Sequence, residues 1–298
     1  MAAIDNLRGR ISSVQPVGQT IFRMIWRSVN VALVVSALAL AYSAGWEYSV
    51  RRYLAGFDEA IIPTNATPEQ RVDAILGWMR NGPPRSMEPN PTGLAVRDPE
   101  TTLNYQRLLS VCGTATNAFL NLARSADLQV RRLLLLSPDR RAKHVVAEVQ
   151  LDGRWIIVDP TYRVVLRNAK GEMLTRKQLQ NPETFAEATS AVHGYPKEYS
   201  YEKYAHVRIA RLPLDGMRLR PALDWIFPGW DERLDWSLLL ERESFFVFAT
   251  AALLTLFLLL LRMFLGWYAD QRLHVPRFHL RATLIRAGTA FFTTPEIK

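Results

Sequence analysis

The chemistry open to this chain of 298 residues starts from a single cysteine, Cys112, in the run SVCGTATNAF that begins at Ser110. One cysteine excludes an intrachain disulfide, and in an oxidising compartment a lone thiol is a liability unless it has a use. A thiol attacks as its thiolate, so it needs a neighbour that takes its proton. Five histidines are available, at 144, 193, 206, 274 and 279. His144 stands out because Asp159 follows it across a short hairpin, and a carboxylate beside an imidazole holds its tautomer and stabilises the imidazolium. Cys112, His144 and Asp159 together can supply nucleophile, base and orienting carboxylate. Taken singly, each has a plainer reading: a small buried apolar side chain, a strand histidine, and a strand terminator in Asp-Pro-Thr.

Three elements must position them. Ala115, Phe119, Leu122 and Ala126 recur at helical spacing after Cys112, which puts the thiol at a helix N-terminus. The dipole and free N–H groups there favour the thiolate. Asp127 and Leu128 then lead into VRRLLLL, which reads as a buried strand. His144 to Thr161, HVVAEVQLDGRWIIVDPT, reads as two strands joined at Asp152-Gly153, a strong signal for a two-residue type I′ hairpin. That turn sets Leu151 opposite Arg154, Val146 opposite Asp159 and His144 opposite Thr161. His144, Val146, Glu148 and Gln150 then share a mixed face with Trp155, Ile157 and Asp159, while Val145, Ala147, Val149 and Leu151 face the core. His144 and Asp159 become diagonal neighbours, and a slip of one residue would part them. If the helix start packs on this end of the hairpin, His144 reaches the thiol.

Further upstream, TPEQRVDAILGWMRNGPP, from Thr67 to Pro84, predicts a helix with Thr67 as N-cap, Pro68 in the first turn and Gln70 closing a capping box. Val72, Ile75, Leu76 and Met79 form its apolar face. Residues 83–100 read as a loop. Tyr199 to Leu214 suggests a strand or helix that completes the domain. No histidine has zinc-site spacing to Cys112, so no metal and no organic cofactor are implied. Nine Lys or Arg against four acids lie between Arg131 and Lys170, a basic surround that either lowers the thiol pKa, attracts an anionic polymer, or is simply a solvated face.

The order and spacing of Cys112 at a helix start, His144 in HVVAEVQ and Asp159 in GRWIIVDPT resemble the transglutaminase-like superfamily of papain-like thiol enzymes. The resemblance covers about fifty residues. It implies an α+β fold with the nucleophile's helix packed on an antiparallel sheet. It also implies catalysis by Cys112, His144 and Asp159, through acyl transfer on a peptide or carboxamide. Two positions depart from it: Ser110 stands where many members have Gly, and Val146 where an aromatic often follows. Gln106, six residues before the thiol, is a weak candidate for an oxyanion donor beside the Cys112 N–H.

Two apolar runs frame this domain. Ser244 to Leu261, SFFVFATAALLTLFLLLL, carries no charge and is long enough to cross a bilayer. Ser28 to Trp46 is weaker; Ala39-Leu40-Ala41 resembles a signal-peptidase site, but the long Arg-bearing segment before it favours an uncleaved anchor. Residues 1–46 hold four Arg and one Asp, and residues 244–298 hold five Arg, one Lys, one Asp and one Glu, so these ends carry +7 of the formal +9. By the positive-inside rule both termini are cytoplasmic and the middle lies across the membrane. The basic pI is thus a topology signal and implies no nucleic-acid partner.

The expected order is a cytoplasmic segment at 1–27, a span at 28–46 and a periplasmic domain at 47–220. An aromatic juxtamembrane segment (221–243, with Trp225, Trp230 and Trp236), a second span (244–265) and a basic tail (266–298) follow. The Arg-rich composition points to a bacterial inner membrane. The expected substrate is a peptide, a protein or an envelope polymer, with other envelope proteins as possible partners. The alternative is a catalytically silent binding module of the envelope, for instance in cell-surface polysaccharide export.

Overall fold

The three-dimensional structure is a computed structural model that describes residues 2–81, 103, 112–206, 219–230, 239 and 242–273. The chain divides into two compact units, Met1–Leu40 with Ala251–Lys298, and Ala41–Thr250. The first unit is built on helix α1 (Ala2–Ile61) and on helix α6 (Glu243–Tyr268), the last α-helix of the described residues. Within it Phe22 and Ala269 pack with Trp26 and Leu265, and Arg262 Nε donates to Asn30 Oδ1 at 2.8 Å. Both helices are long and apolar enough to cross a membrane. Their apolar side chains are largely bare, Leu38 at 67% and Leu253 at 68% exposure, which is not how a soluble core helix is buried.

The second unit is a mixed α and antiparallel β domain. Helix α1 continues past the apolar run without a break and stops at Ile61, shortly before Pro63, which cannot extend it. Helix α2 (Pro68–Asn81) starts at the expected capping box: the Thr67 N–H donates to Gln70 Oε1 at 2.9 Å, and the Gln70 N–H to Thr67 Oγ1 at 3.3 Å. Helix α3 (Cys112–Ser125) ends in a Schellman turn, with Asp127 at φ +59° and the Leu128 N–H bonded to Ala123 O.

Five strands follow, β1 (Val130–Leu136), β2 (Ala142–Leu151), β3 (Arg154–Asp159), β4 (Val164–Val165) and β5 (Tyr204–Ala205). They form one antiparallel sheet in the order β4-β3-β2-β1-β5. The β2–β3 turn has Asp152 at φ +48° and Gly153 at φ +75°, the left-handed pair that a type I′ turn requires. Its register is the expected one, Leu151 opposite Arg154 through to Ala147 opposite Val158. There the ladder ends, one pair short of the Val146–Asp159 pairing the sequence suggests. On the other side of β2 the register with β1 shifts between Leu135, which pairs with His144, and Leu136, which pairs with Ala142. The bulge leaves Lys143 unpaired just before His144, where such an irregularity re-aims a side chain.

One face of the sheet (Val130, Ala147, Val149, Leu151, Ile156, Val158) packs on Val50 and Leu54 of α1, on the apolar face of α2, and on Ala115, Phe119 and Leu122 of α3. The opposite, mixed face is buried as well. Val146 and Ile157 lie under Leu166, Leu174, Leu179, Tyr195 and Tyr201, with Phe185 from helix α4 (Pro182–Ser190). Residues 162–204 therefore make a second cover, and this encloses the end of the hairpin.

Candidate active site

Cys112 is the first residue of α3 and is half-buried. Two hydrogen bonds tie this helix start to the sheet. Thr116 Oγ1 donates to the Val145 carbonyl at 2.9 Å, one residue beyond His144, and Arg132 Nη2 donates to the Gly113 carbonyl at 3.4 Å. The thiol lies below its ordinary pKa chiefly through its hydrogen bond with the His144 side chain. Burial opposes this shift, while the imidazole charge and the backbone N–H groups of Val145 and Gly113 add to it. The basic surround is not the main cause, and part of it is engaged elsewhere. Arg131 pairs with Glu148 at 2.6 Å, Arg141 with Asp139 at 2.9 Å and Arg167 with Glu69 at 2.7 Å.

His144 is buried, with Nε2 2.7 Å from Asp159 Oδ2. That leaves Nδ1 as the nitrogen for the thiol. The ring is stacked on Tyr199, centroids 4.5 Å apart and planes 9° from parallel, with Tyr162 edge-on at 6.1 Å. Burial by itself lowers the pKa of the imidazole. The hydrogen bonds and charges of Asp159 and Cys112 outweigh it and raise the value from 6.5 to about 9. A thiol pushed down and an imidazole pushed up both favour the ion pair of thiolate with imidazolium.

Asp159 is fully buried, and its two oxygens have separate tasks. Oδ2 meets His144, while Oδ1 accepts the backbone N–H groups of Thr161 at 3.0 Å and Tyr162 at 3.4 Å. The carboxylate also has the Tyr195 hydroxyl as a hydrogen-bond partner, and that hydroxyl lies 3.2 Å from the one on Tyr201. Burial raises both phenols far above their ordinary range, so they remain proton donors. These tyrosines are absent from the sequence-derived site. The available signal was the fragment YPKEYSYEKY, Tyr195 to Tyr204, with four tyrosines in ten residues and no helical or strand period.

The structure thus brings together Cys112, His144 and Asp159. Gln106 lies outside the described residues, as do His274 and His279. His206 is engaged elsewhere, with Nδ1 2.6 Å from the Arg132 carbonyl, and His193 is exposed. Among the described residues no three His, Cys, Asp or Glu side chains group to hold a metal ion. Chemically the arrangement offers a thiol whose pKa is held down, an imidazole beside it that can carry its proton, and backbone N–H groups at a helix start where an oxyanion could be received.

Residues 56–160 match the transglutaminase-like superfamily. The matched stretch includes all three positions, and Tyr195, Tyr199 and Tyr201 lie beyond it. No curated protein and no solved structure matches the chain.

Proposed function

The chain carries a transglutaminase-like domain, and from that premise we propose that it is a membrane-anchored thiol enzyme that transfers acyl groups through a thioester on Cys112. The observation that carries this reading is the buried His144–Asp159 pair at 2.7 Å, placed where the His144 ring also acts on the Cys112 thiol and lowers its pKa. The thiolate attacks a carboxamide or peptide carbonyl, and the negative charge moves to the carbonyl oxygen beside the Cys112 N–H. The His144 imidazolium gives its proton to the leaving amine, the C–N bond breaks and the thioester remains. Neutral His144 then takes a proton from water or from a second amine as that nucleophile attacks, and thiolate departs. Asp159 stays ionised throughout and holds the ring. Hydrolysis and transamidation share the first half of this sequence.

The substrate class that fits is a peptide, a protein or an amide-bearing envelope polymer. Membrane anchoring is supported by the two bare apolar helices, and by helix α5 (Leu219–Ile226), which leaves Trp225 85% exposed beside exposed Ile226 and Phe227. The basic flanks favour cytoplasmic termini and a periplasmic domain. Brief exposure of the purified protein to glutamine-containing and envelope-type peptides, followed by intact mass spectrometry, tests the chemistry. An adduct on Cys112 released by neutral hydroxylamine is expected. If no peptide gives one, while Cys112→Ala still supports the protein's role in cells, the domain is a binding module.

A further inference from the structure

Between the end of α4 at Ser190 and the start of β5 at Tyr204 the chain passes over the mixed face without helix or strand. Tyr199 lies in this stretch, beyond the residues 56–160 that match the superfamily. Its ring meets the His144 ring face to face, with centroids 4.5 Å apart and planes 9° from parallel. The hairpin alone does not require that contact. It brings Nε2 of His144 to 2.7 Å from Asp159 Oδ2, and a single hydrogen bond fixes where that nitrogen points but lets the ring rock about the bond. The plane of the ring decides whether Nδ1 faces the thiol. Tyr199 is itself held in place. Its N–H donates to the Pro196 carbonyl at 3.4 Å, and its ring has Tyr195 edge-on at 5.8 Å and 83°. Tyr195 is in turn packed on Tyr162 at 4.6 Å and on Phe185 at 6.0 Å.

An aromatic face carries partial negative charge and attracts a cation that lies within about 6 Å of its centroid. A parallel stack turns the whole delocalised charge of an imidazolium toward that face, whereas a tilted ring would fill the same space without doing so. We propose that Tyr199 is a positioning residue for His144: its ring fixes the plane of the imidazole, and its face stabilises the imidazolium over the neutral form. Cys112 from α3 and Asp159 from β3 act on the His144 ring as charges, while Tyr162 and Tyr199 face it as phenols and Glu198 acts on both phenols. Burial raises both phenols, Tyr199 to about 12, so the stacked ring stays neutral wherever His144 titrates. The stack works in the same direction as Asp159 and against burial, which by itself favours the neutral imidazole. This role rests on the reading of His144 as the base proposed above.

The test uses the full-length protein in detergent with Cys112→Ala throughout, so that His144 titrates without the thiol. Histidine labelled with carbon-13 at Cε1 is followed by NMR against pH, and among the five histidines His144 is the signal lost in His144→Gln. Tyr199→Leu keeps an apolar cover on the ring but removes the aromatic face. The imidazolium then loses support, so the His144 midpoint should fall by about half a unit or more. Tyr199→Phe keeps the face and should keep the parental midpoint. Phe185→Leu removes packing from the same cover away from the imidazole, and should lower thermal stability while leaving the midpoint in place. Tyr199→Met serves if the leucine variant does not fold. A midpoint that stays or rises in Tyr199→Leu, or that falls as far in Tyr199→Phe or in Phe185→Leu, means packing alone and overturns the proposal. Alkylation of Cys112 in the otherwise unaltered chain judges the catalytic reading separately. A curve like that of a free cysteine removes the reading of His144 as base and leaves the titration of the stack unaffected.

Discussion

At the scale of residues, Asp159 divides its two oxygens between the His144 ring and the turn that follows. Asp159→Asn keeps an acceptor for the Thr161 and Tyr162 N–H groups, so the turn should survive and the protein should fold. The amide, however, presents N–H to Nε2, which forces the proton onto Nδ1 and leaves no acceptor for the thiol proton. Acyl transfer should fall by about 10³–10⁴-fold, read as kcat/KM on any peptide that acylates Cys112. Glu148→Gln makes the contrast. Glu148 shares the same strand face, but it is buried against Arg131 at 2.6 Å, so its loss should lower stability and leave the pH profile in place. The profile itself should be bell-shaped. Activity rises as Cys112 ionises, below the ordinary thiol value, and falls as His144 loses its proton at about 9, because the leaving amine then finds no acid. Stopped assays from pH 4 to 10 would read both limbs, and a single rising limb near the ordinary thiol pKa would contradict the ion pair.

At the scale of elements, the Asp152-Gly153 turn sets the register that makes His144 and Asp159 neighbours. Gly153 stands at φ +75° with open space where a Cβ would go, so Gly153→Ala meets backbone strain and no clash. A cost of about 1–2 kcal/mol in urea unfolding is expected. The loss should exceed that of Gly113→Ala, since Gly113, in the first turn of α3, has no positive φ and has open space where a Cβ would go. This turn, the Thr67 capping box and the start of α3 were all legible in the sequence, because each is decided within a few residues. The continuation of α1 from Trp46 to Ile61 is not among the elements expected from the sequence, although Val50, Leu54 and Phe57 have helical spacing, because the apolar run before it carries the stronger signal. The cover over the mixed face was illegible for a physical reason. It is assembled from two-residue strands and isolated bridges such as Ile156–Thr175 and Arg167–Met173, which carry no period. Hence Cys112, His144 and Asp159 could be found by type and spacing, while the tyrosines around them could not.

At the scale of the whole molecule, charge decides which side of a membrane the domain occupies. The ends outside the two apolar runs carry most of the net positive charge, and the domain between them is nearly balanced. Alkaline phosphatase fused at Tyr48 should be active, and the same reporter at the C-terminus inactive, with a fluorescent reporter giving the opposite pattern. Equal signals at both positions would overturn the two-span arrangement. A mature N-terminus close to Tyr42 would show instead that the first run is a cleaved signal.

If Cys112 rests as a thiolate paired with His144, the alkylation rate of Cys112 as a function of pH shows it most directly. In the wild type the midpoint should lie well below the value of about 8.5 for a free cysteine. His144→Ala should move it back up toward that value, since the imidazole is the main cause of the shift. A wild-type curve that overlays that of a short cysteine peptide, and that does not move when His144 is removed, would mean that the thiol is inert.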